Sequence, residues 1–186
     1  MSDKFEKLPT DGIEVKLTLS SLIYENDIPS SMKDSLEFVS EDSVDDEEYF
    51  DEGDGPQKLE QVTVASYSEA DGRVTVTYDD SEVLDMPETL TQVTFSVSDP
   101  ECVSIVRSGA LRSMITVEEG KRHVGEYRFG PYSIPVTFYG RRVKNSVKNG
   151  VGVIELDYTV EMVGSDASHT KMKLTLEKLP ASPMEF

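Results

Sequence analysis

Residues 102–143 read CVSIVRSGALRSMITVEEGKRHVGEYRFGPYSIPVTFYGRRV, and the fold is decided there. Val103, Ile105 and Arg107 share one phase of a two-residue alternation. Ser108-Gly109, Glu119-Gly120 and Gly130-Pro131 cut the stretch into pieces of strand length. Side chains alternating every second residue between glycine- and proline-bearing turns predict antiparallel strands with tight connections.

The same pattern runs outward in both directions. Upstream, Ile13, Val15, Leu17 and Leu19 alternate with Glu14, Lys16 and Thr18, and Ile23 keeps their phase. Val62 and Val64 alternate with Thr63 and Ala65; Val74, Val76 and Tyr78 follow the turn Asp71-Gly72. A loop through Met86-Pro87 leads to Val93, Phe95 and Val97, and Asp99-Pro100 marks the next turn. Downstream, Asn149-Gly150 opens Ile154, Leu156, Tyr158, Val160 and Met162, and residues 164–167 turn the chain into Met172, Leu174 and Leu176. This gives about ten strands and almost no helical periodicity. A sheet of that many strands, each apolar on one side, has to close or fold back on itself. An all-β, single antiparallel meandering barrel of about 8–10 strands is the first expectation, because closure removes exposed edges; a two-sheet β-sandwich is the alternative. Pro135, inside a predicted strand, marks an edge, a bulge or a seam.

Residues 1–12 read as a flexible tail and 13–180 as one domain, interrupted by an acidic insertion at 25–60 that carries 14 acids and 2 bases. Charge without apolar periodicity predicts a solvated loop there, with only a faint helical signal at 31–39. Residues 101–150 hold 9 bases and 4 acids, against a net charge of −18 for the whole chain. That acidity argues against nucleic acid, whose backbone must be neutralised by Lys and Arg. With no apolar run of membrane length, no apolar leader in MSDKFEKLPT and one cysteine, Cys102, a cytoplasmic protein with no membrane partner is expected.

Tyr78-Asp79-Asp80-Ser81-Glu82, the Met86 loop, Arg107-Ser108-Gly109 and Glu119-Gly120-Lys121-Arg122-His123 together resemble the YwiB-like bacterial family. Gly130-Pro131-Tyr132, the element at 142–145 and the closing strands extend the resemblance over about residues 61–178, in line with the barrel pattern of alternating strands. It implies a domain of unknown function with a calycin-like, lipocalin-like β-barrel. The sequence departs from the family pattern in three ways. A glycine precedes Pro131 instead of following the aromatic residue, the 25–60 segment is expanded, and there is no tryptophan to close one end of the barrel as in many calycins.

Chemistry-bearing residues are few. Arg107, in phase with Val103 and Ile105, points into the barrel at the end of its strand, where a guanidinium could take a carboxylate or phosphate. The plainer reading is a structural arginine that satisfies backbone carbonyls or pairs with an internal acid, and an Arg107 on the outside, or salt-bridged in a closed core, would remove the interior-pocket reading. His123 shares a phase with Tyr127 and Phe129, so an imidazole among rings could bind a ligand or simply be a hydrogen-bonded rim residue. His169 alternates with Lys171 and Lys173 and reads as surface. Two histidines on different phases and a lone cysteine make no metal site, and no cofactor motif appears. Ser108 lies in no nucleophile elbow, so a non-enzymatic protein is expected.

Two functions follow. The first is a binding barrel for a small apolar or amphipathic anionic ligand, with Arg107, His123, Tyr127, Phe129 and Tyr158 as ligand contacts and Ile105 and Val160 as neighbouring pocket wall. The second is an interaction module with a filled core, using the acidic loop 25–60 or the basic hairpin 141–148 (Arg141, Arg142, Lys144, Lys148).

Overall fold

The structure, a computed structural model, describes residues 12–25, 55–162 and 167–180. Ten strands appear in it: β1 (Ile13–Glu25), β2 (Gln57–Ala70), β3 (Arg73–Asp79), β4 (Leu90–Ser96), β5 (Asp99–Ser108), β6 (Leu111–Glu118), β7 (Arg122–Phe129), β8 (Tyr132–Asn145), β9 (Gly152–Met162) and β10 (Ser168–Lys178). A four-residue helix, α1 (Ser81–Leu84), lies between β3 and β4. Each strand pairs antiparallel with the next in sequence, and β1 pairs with both β2 and β10. The sheet is thus a closed meander, and the two-sheet alternative is excluded. The tail at 1–11, the faint helical signal at 31–39 and most of the acidic insertion lie outside the described residues.

The turns work as their residues dictate. Asp71 and Gly72 (φ 52° and 73°) and Asn149 and Gly150 (φ 51° and 76°) are both left-handed at consecutive positions, the backbone twist a tight antiparallel hairpin requires. Asp99-Pro100 differs from expectation. It opens β5 instead of forming the turn, which falls two residues earlier, at Val97-Ser98.

Alternation sets which side chains meet inside. Leu17, Val76, Val93, Ile105, Ile154 and Leu174 are fully buried, and each large aliphatic side chain removed from water contributes about 1.5–3 kcal/mol. In β2 the inward phase is the reverse of what its valines suggest. Ala65 and Tyr67 are buried, whereas Val62 (65% exposed) and Val64 (41%) face solvent. Register decides this. Thr63 lies opposite Leu17 and Ala65 opposite Val15, so those residues must share the inner face. The strand also begins at Gln57, before the expected end of the acidic insertion.

Two ladders are incomplete, at opposite ends of the barrel. β6 pairs with β7 only from Leu111–Phe129 to Ser113–Tyr127. β9 reaches β8 only from Val136 onward, opposite Met162. The β8 arm of the β7–β8 tip therefore runs past the end of β9 while β6 stays paired with β7 at that tip, and Pro135 sits where β8 has no β9 partner for a missing N–H to disturb.

Candidate functional site: a polar layer at one barrel mouth

Following the inward phase to the ends of the strands, one end of the barrel changes character. Tyr78 lies opposite Thr91, Thr91 opposite Arg107, Arg107 opposite Ser113, Ser113 opposite Tyr127 and Tyr127 opposite Ile134. Residues directly opposite one another on paired strands share a face, so these six form one row across β3 to β8. Thr89 and Asp80 extend the inward phases of β4 and β3 past the strand ends, and Tyr158 with its partner Thr170 joins from β9 and β10. Below the row the interior is apolar. At the row it is polar.

Arg107 is the cation of this layer. Its side chain is 12% exposed, and its Nε lies 3.4 Å from Asp80 Oδ2, on a carboxylate whose side chain is 4% exposed. Thr91 Oγ1 donates to that same oxygen at 2.8 Å. The expected inward arginine is therefore ion-paired, as the plainer reading held. It is not exhausted, however. Nε is its one hydrogen-bonding atom among the described residues, and neither η nitrogen is sealed from solvent. Burial works against its charge, but the guanidinium pKa is raised on balance, with Asp80 the neighbour that carries a negative charge at neutral pH. The cation is permanent.

The three tyrosines are held neutral. Burial pushes the Tyr158 hydroxyl up to about 12, reinforced by Tyr127. It pushes Tyr78 higher still, with Asp80 adding to the effect, and it raises Tyr127. Each therefore keeps a proton to donate. Tyr127 meets Phe138 edge-on at 6.2 Å, and Phe138 meets Tyr158 at 6.5 Å, so packed rings set the tyrosine positions.

Polar atoms without partners cluster at this same layer. Thr89 Oγ1 and Ser113 Oγ are buried with no hydrogen-bond partner among the described residues, and so is the Oε1 of Gln61, whose Nε2 donates to the Asp79 carbonyl. Gln61 lies opposite Leu19, on the inward phase. Leaving a buried hydroxyl unmatched costs about 1–3 kcal/mol, so such atoms point to water or a ligand.

Of the expected site residues, the structure brings together Arg107, Tyr127 and Tyr158, with Phe129 beside Tyr127 at 6.5 Å. Ile105 and Val160 lie buried within the packed core. His123 stands apart. It occupies the opposite end of β7, across from Phe138, with its side chain 31% exposed and Nε2 3.4 Å from Glu118 Oε2. That contact lacks hydrogen-bond geometry, and Nε2 is buried without a partner. His169 keeps the outward phase expected of it but is not a surface residue. It is 5% exposed, stacks on Tyr24 at 5.5 Å and contacts Asp157 Oδ1 through Nε2 at 2.7 Å. Asp80, Ser113 and Thr89 were missed by sequence reasoning. Their signal was present: each is a polar residue at a position that its strand's alternation assigns to the interior.

Two clefts, about 370 and 510 Å³, lie against the outside of the sheet, away from this layer. One is bounded by Arg142, Asp157 and Lys173, the other by Met114, Val124 and Pro135. No cluster of His, Cys, Asp or Glu among the described residues has the arrangement of a metal site.

The family described as "Domain of unknown function (DUF1934)" matches residues 45–174. The chain belongs to that family. In three dimensions the DUF1934 barrel is similar to a crystal structure of the ywiB protein from Bacillus subtilis, with a TM-score of 0.66 and 16% identity, over 92% of this chain and 95% of that one. At that identity the similarity speaks for the fold. No curated protein matches the chain. No helix among the described residues is long and apolar enough to cross a membrane.

Proposed function

We propose that this DUF1934 barrel is a binding protein for a small amphipathic anion, taken at the polar mouth instead of in a deep interior cavity. One observation carries the reading. A permanent, nearly buried cation with both η nitrogens unpartnered stands beside a buried, unpartnered hydroxyl on the neighbouring strand. Burying polar groups without partners is unfavourable, and an incoming acceptor removes that penalty. Neutral tyrosines on either side offer further donors without adding repulsive charge. Binding, not catalysis, suits the set, because no nucleophile stands against a base in this layer.

A second reading draws on the packed lower barrel, where Ile105, Ile115, Phe138 and Leu174 leave at most 1% of themselves exposed. A filled barrel can serve as a scaffold for partner proteins, and Arg142, Lys144 and Lys148 are exposed without an ion pair among the described residues.

Native mass spectrometry of the full chain, purified without detergent, separates the two. A reproducible small-molecule adduct lost on Arg107→Met supports the binding barrel and gives the ligand's mass. A clean mass that stays clean after exposure to metabolite and lipid extracts sets that reading aside in favour of the scaffold.

A further inference from the structure

The orientation and chemical class of the ligand follow from what lies on either side of the polar row, given the binding reading above. Below the row there is no room for a chain. Ile105, Ile115, Phe138 and Leu174 occupy the interior at packing that leaves them 0–1% exposed. Above the row the situation is reversed. The β8 arm of the β7–β8 tip runs past the end of β9, and its inward phase carries Ile134 at the end of the row and Tyr132 above it, opposite Phe129. Tyr132 is 72% exposed and Ile134 37%, so apolar surface stands unpartnered directly over the mouth. A fatty tail pointing into the barrel would have to displace core. A tail pointing out along the hairpin would cover surface that is now wet.

The head is constrained by charge. The layer contains one guanidinium, and Asp80 already faces it through Nε. The Nη1–Nη2 edge remains, which matches the two oxygens of a carboxylate. Ser113 Oγ, one strand over and unpartnered, supplies a third donor. Asp80 already balances the guanidinium charge, so what Arg107 lacks is acceptors for its η N–H groups; a monocarboxylate supplies them with one excess negative charge, whereas a doubly charged phosphate monoester would bring two beside Asp80 and three neutral phenols.

We infer that the ligand is an amphipathic monocarboxylate bound head-in and tail-out. Its carboxylate sits inside the mouth on the η nitrogens of Arg107 and on Ser113 Oγ, and its apolar part lies along the inner face of the β7–β8 tip.

Isothermal titration of the full chain with octanoate, octyl phosphate and 1-octanol tests this, together with intermolecular NOEs from the terminal methyl of octanoate. Octanoate is expected to bind, with octyl phosphate at least about fivefold weaker and octanol weaker still. Arg107→Met should weaken octanoate at least about tenfold, and Arg107→Lys, which keeps the charge without the fork, should weaken it nearly as much. Tyr132→Ser combined with Ile134→Ser should weaken it about three- to tenfold through lost apolar burial, and the methyl should show NOEs to both wild-type side chains. Ser113→Ala should weaken it less than Arg107→Met does. If octyl phosphate binds as tightly as octanoate, or the methyl reports on Ile105 and Leu174 instead, the inference fails while anion binding at Arg107 stands. If neither anion binds, or binding ignores both Arg107 substitutions, the binding reading fails with it.

Discussion

Separating Asp80 from Arg107 should destabilise the barrel far more than removing both. At 3.4 Å, two unit charges attract by about 5 kcal/mol at an effective dielectric of 20, before desolvation is subtracted. With side chains 12% and 4% exposed, neither partner regains much water when the other is lost. Asp80→Asn keeps an acceptor for Thr91 but leaves the guanidinium without a counter-charge, and we expect a loss of about 3 kcal/mol, the lower end for breaking a buried pair because the contact is long. Arg107→Met strands Asp80 with a single hydroxyl donor and should lose about 3–4 kcal/mol. The double substitution should lose no more than about 2 kcal/mol, since no charge is then left buried alone, giving a coupling of about 4–5 kcal/mol from the cycle. For a chain of this size a 3 kcal/mol loss lowers Tm by about 6–12 °C. Urea unfolding of the four proteins at pH 7, with the slopes compared to confirm two-state behaviour, measures the cycle. Additive losses, with coupling below about 0.5 kcal/mol, would refute the claim that these two groups share a poorly hydrated layer.

Other outcomes follow from the same geometry. Tyr158 titrates near 10 when unfolded but at about 12 in the barrel, so its stabilising effect is whole below pH 10 and is lost as pH rises toward 12; urea unfolding should show about 1.4 kcal/mol lost by pH 11 from this group, and Tyr158→Phe should shallow that alkaline slope. Gly125→Ala would drive a methyl into the Met114 carbonyl and the Phe138 ring edge, which approach from both sides; thermal unfolding should register about 1–3 kcal/mol of destabilisation. Val62→Thr and Val124→Thr, at 65% and 81% exposure, should each stay within about 0.5 kcal/mol of the parent, whereas Leu156→Ala, at 2% exposure, should lose about 2–5 kcal/mol in the same denaturant series. The Cys102 thiol is pushed up by burial and by Glu118 and Asp99, so alkylation by iodoacetamide at pH 7 should run slower than for a free thiol.

Alternation and turn chemistry are local, and the sequence alone determined what depends on them: about ten antiparallel strands, most of their connections, a choice between a closed barrel and a two-sheet sandwich, and the inward phase of Arg107, Tyr127 and Tyr158. Tertiary structure decided what depends on how distant strands line up. Only the register of β4 against β5 sets Thr91 beside Arg107, and only the chain's course after β3 carries Asp80 to both. The pairing of β2 with β1 turned Val62 and Val64 outward, although both phases of that strand are apolar enough to compete. His169 kept its outward phase yet was buried, because Tyr24 on β1 stacks over it. His123 and Arg107, both predicted to face inward, ended in different layers because position along the barrel axis depends on register accumulated over three strands. A strand's own residues say which side chains face in. They do not say at what height, or against whom, and those are the coordinates that make a site.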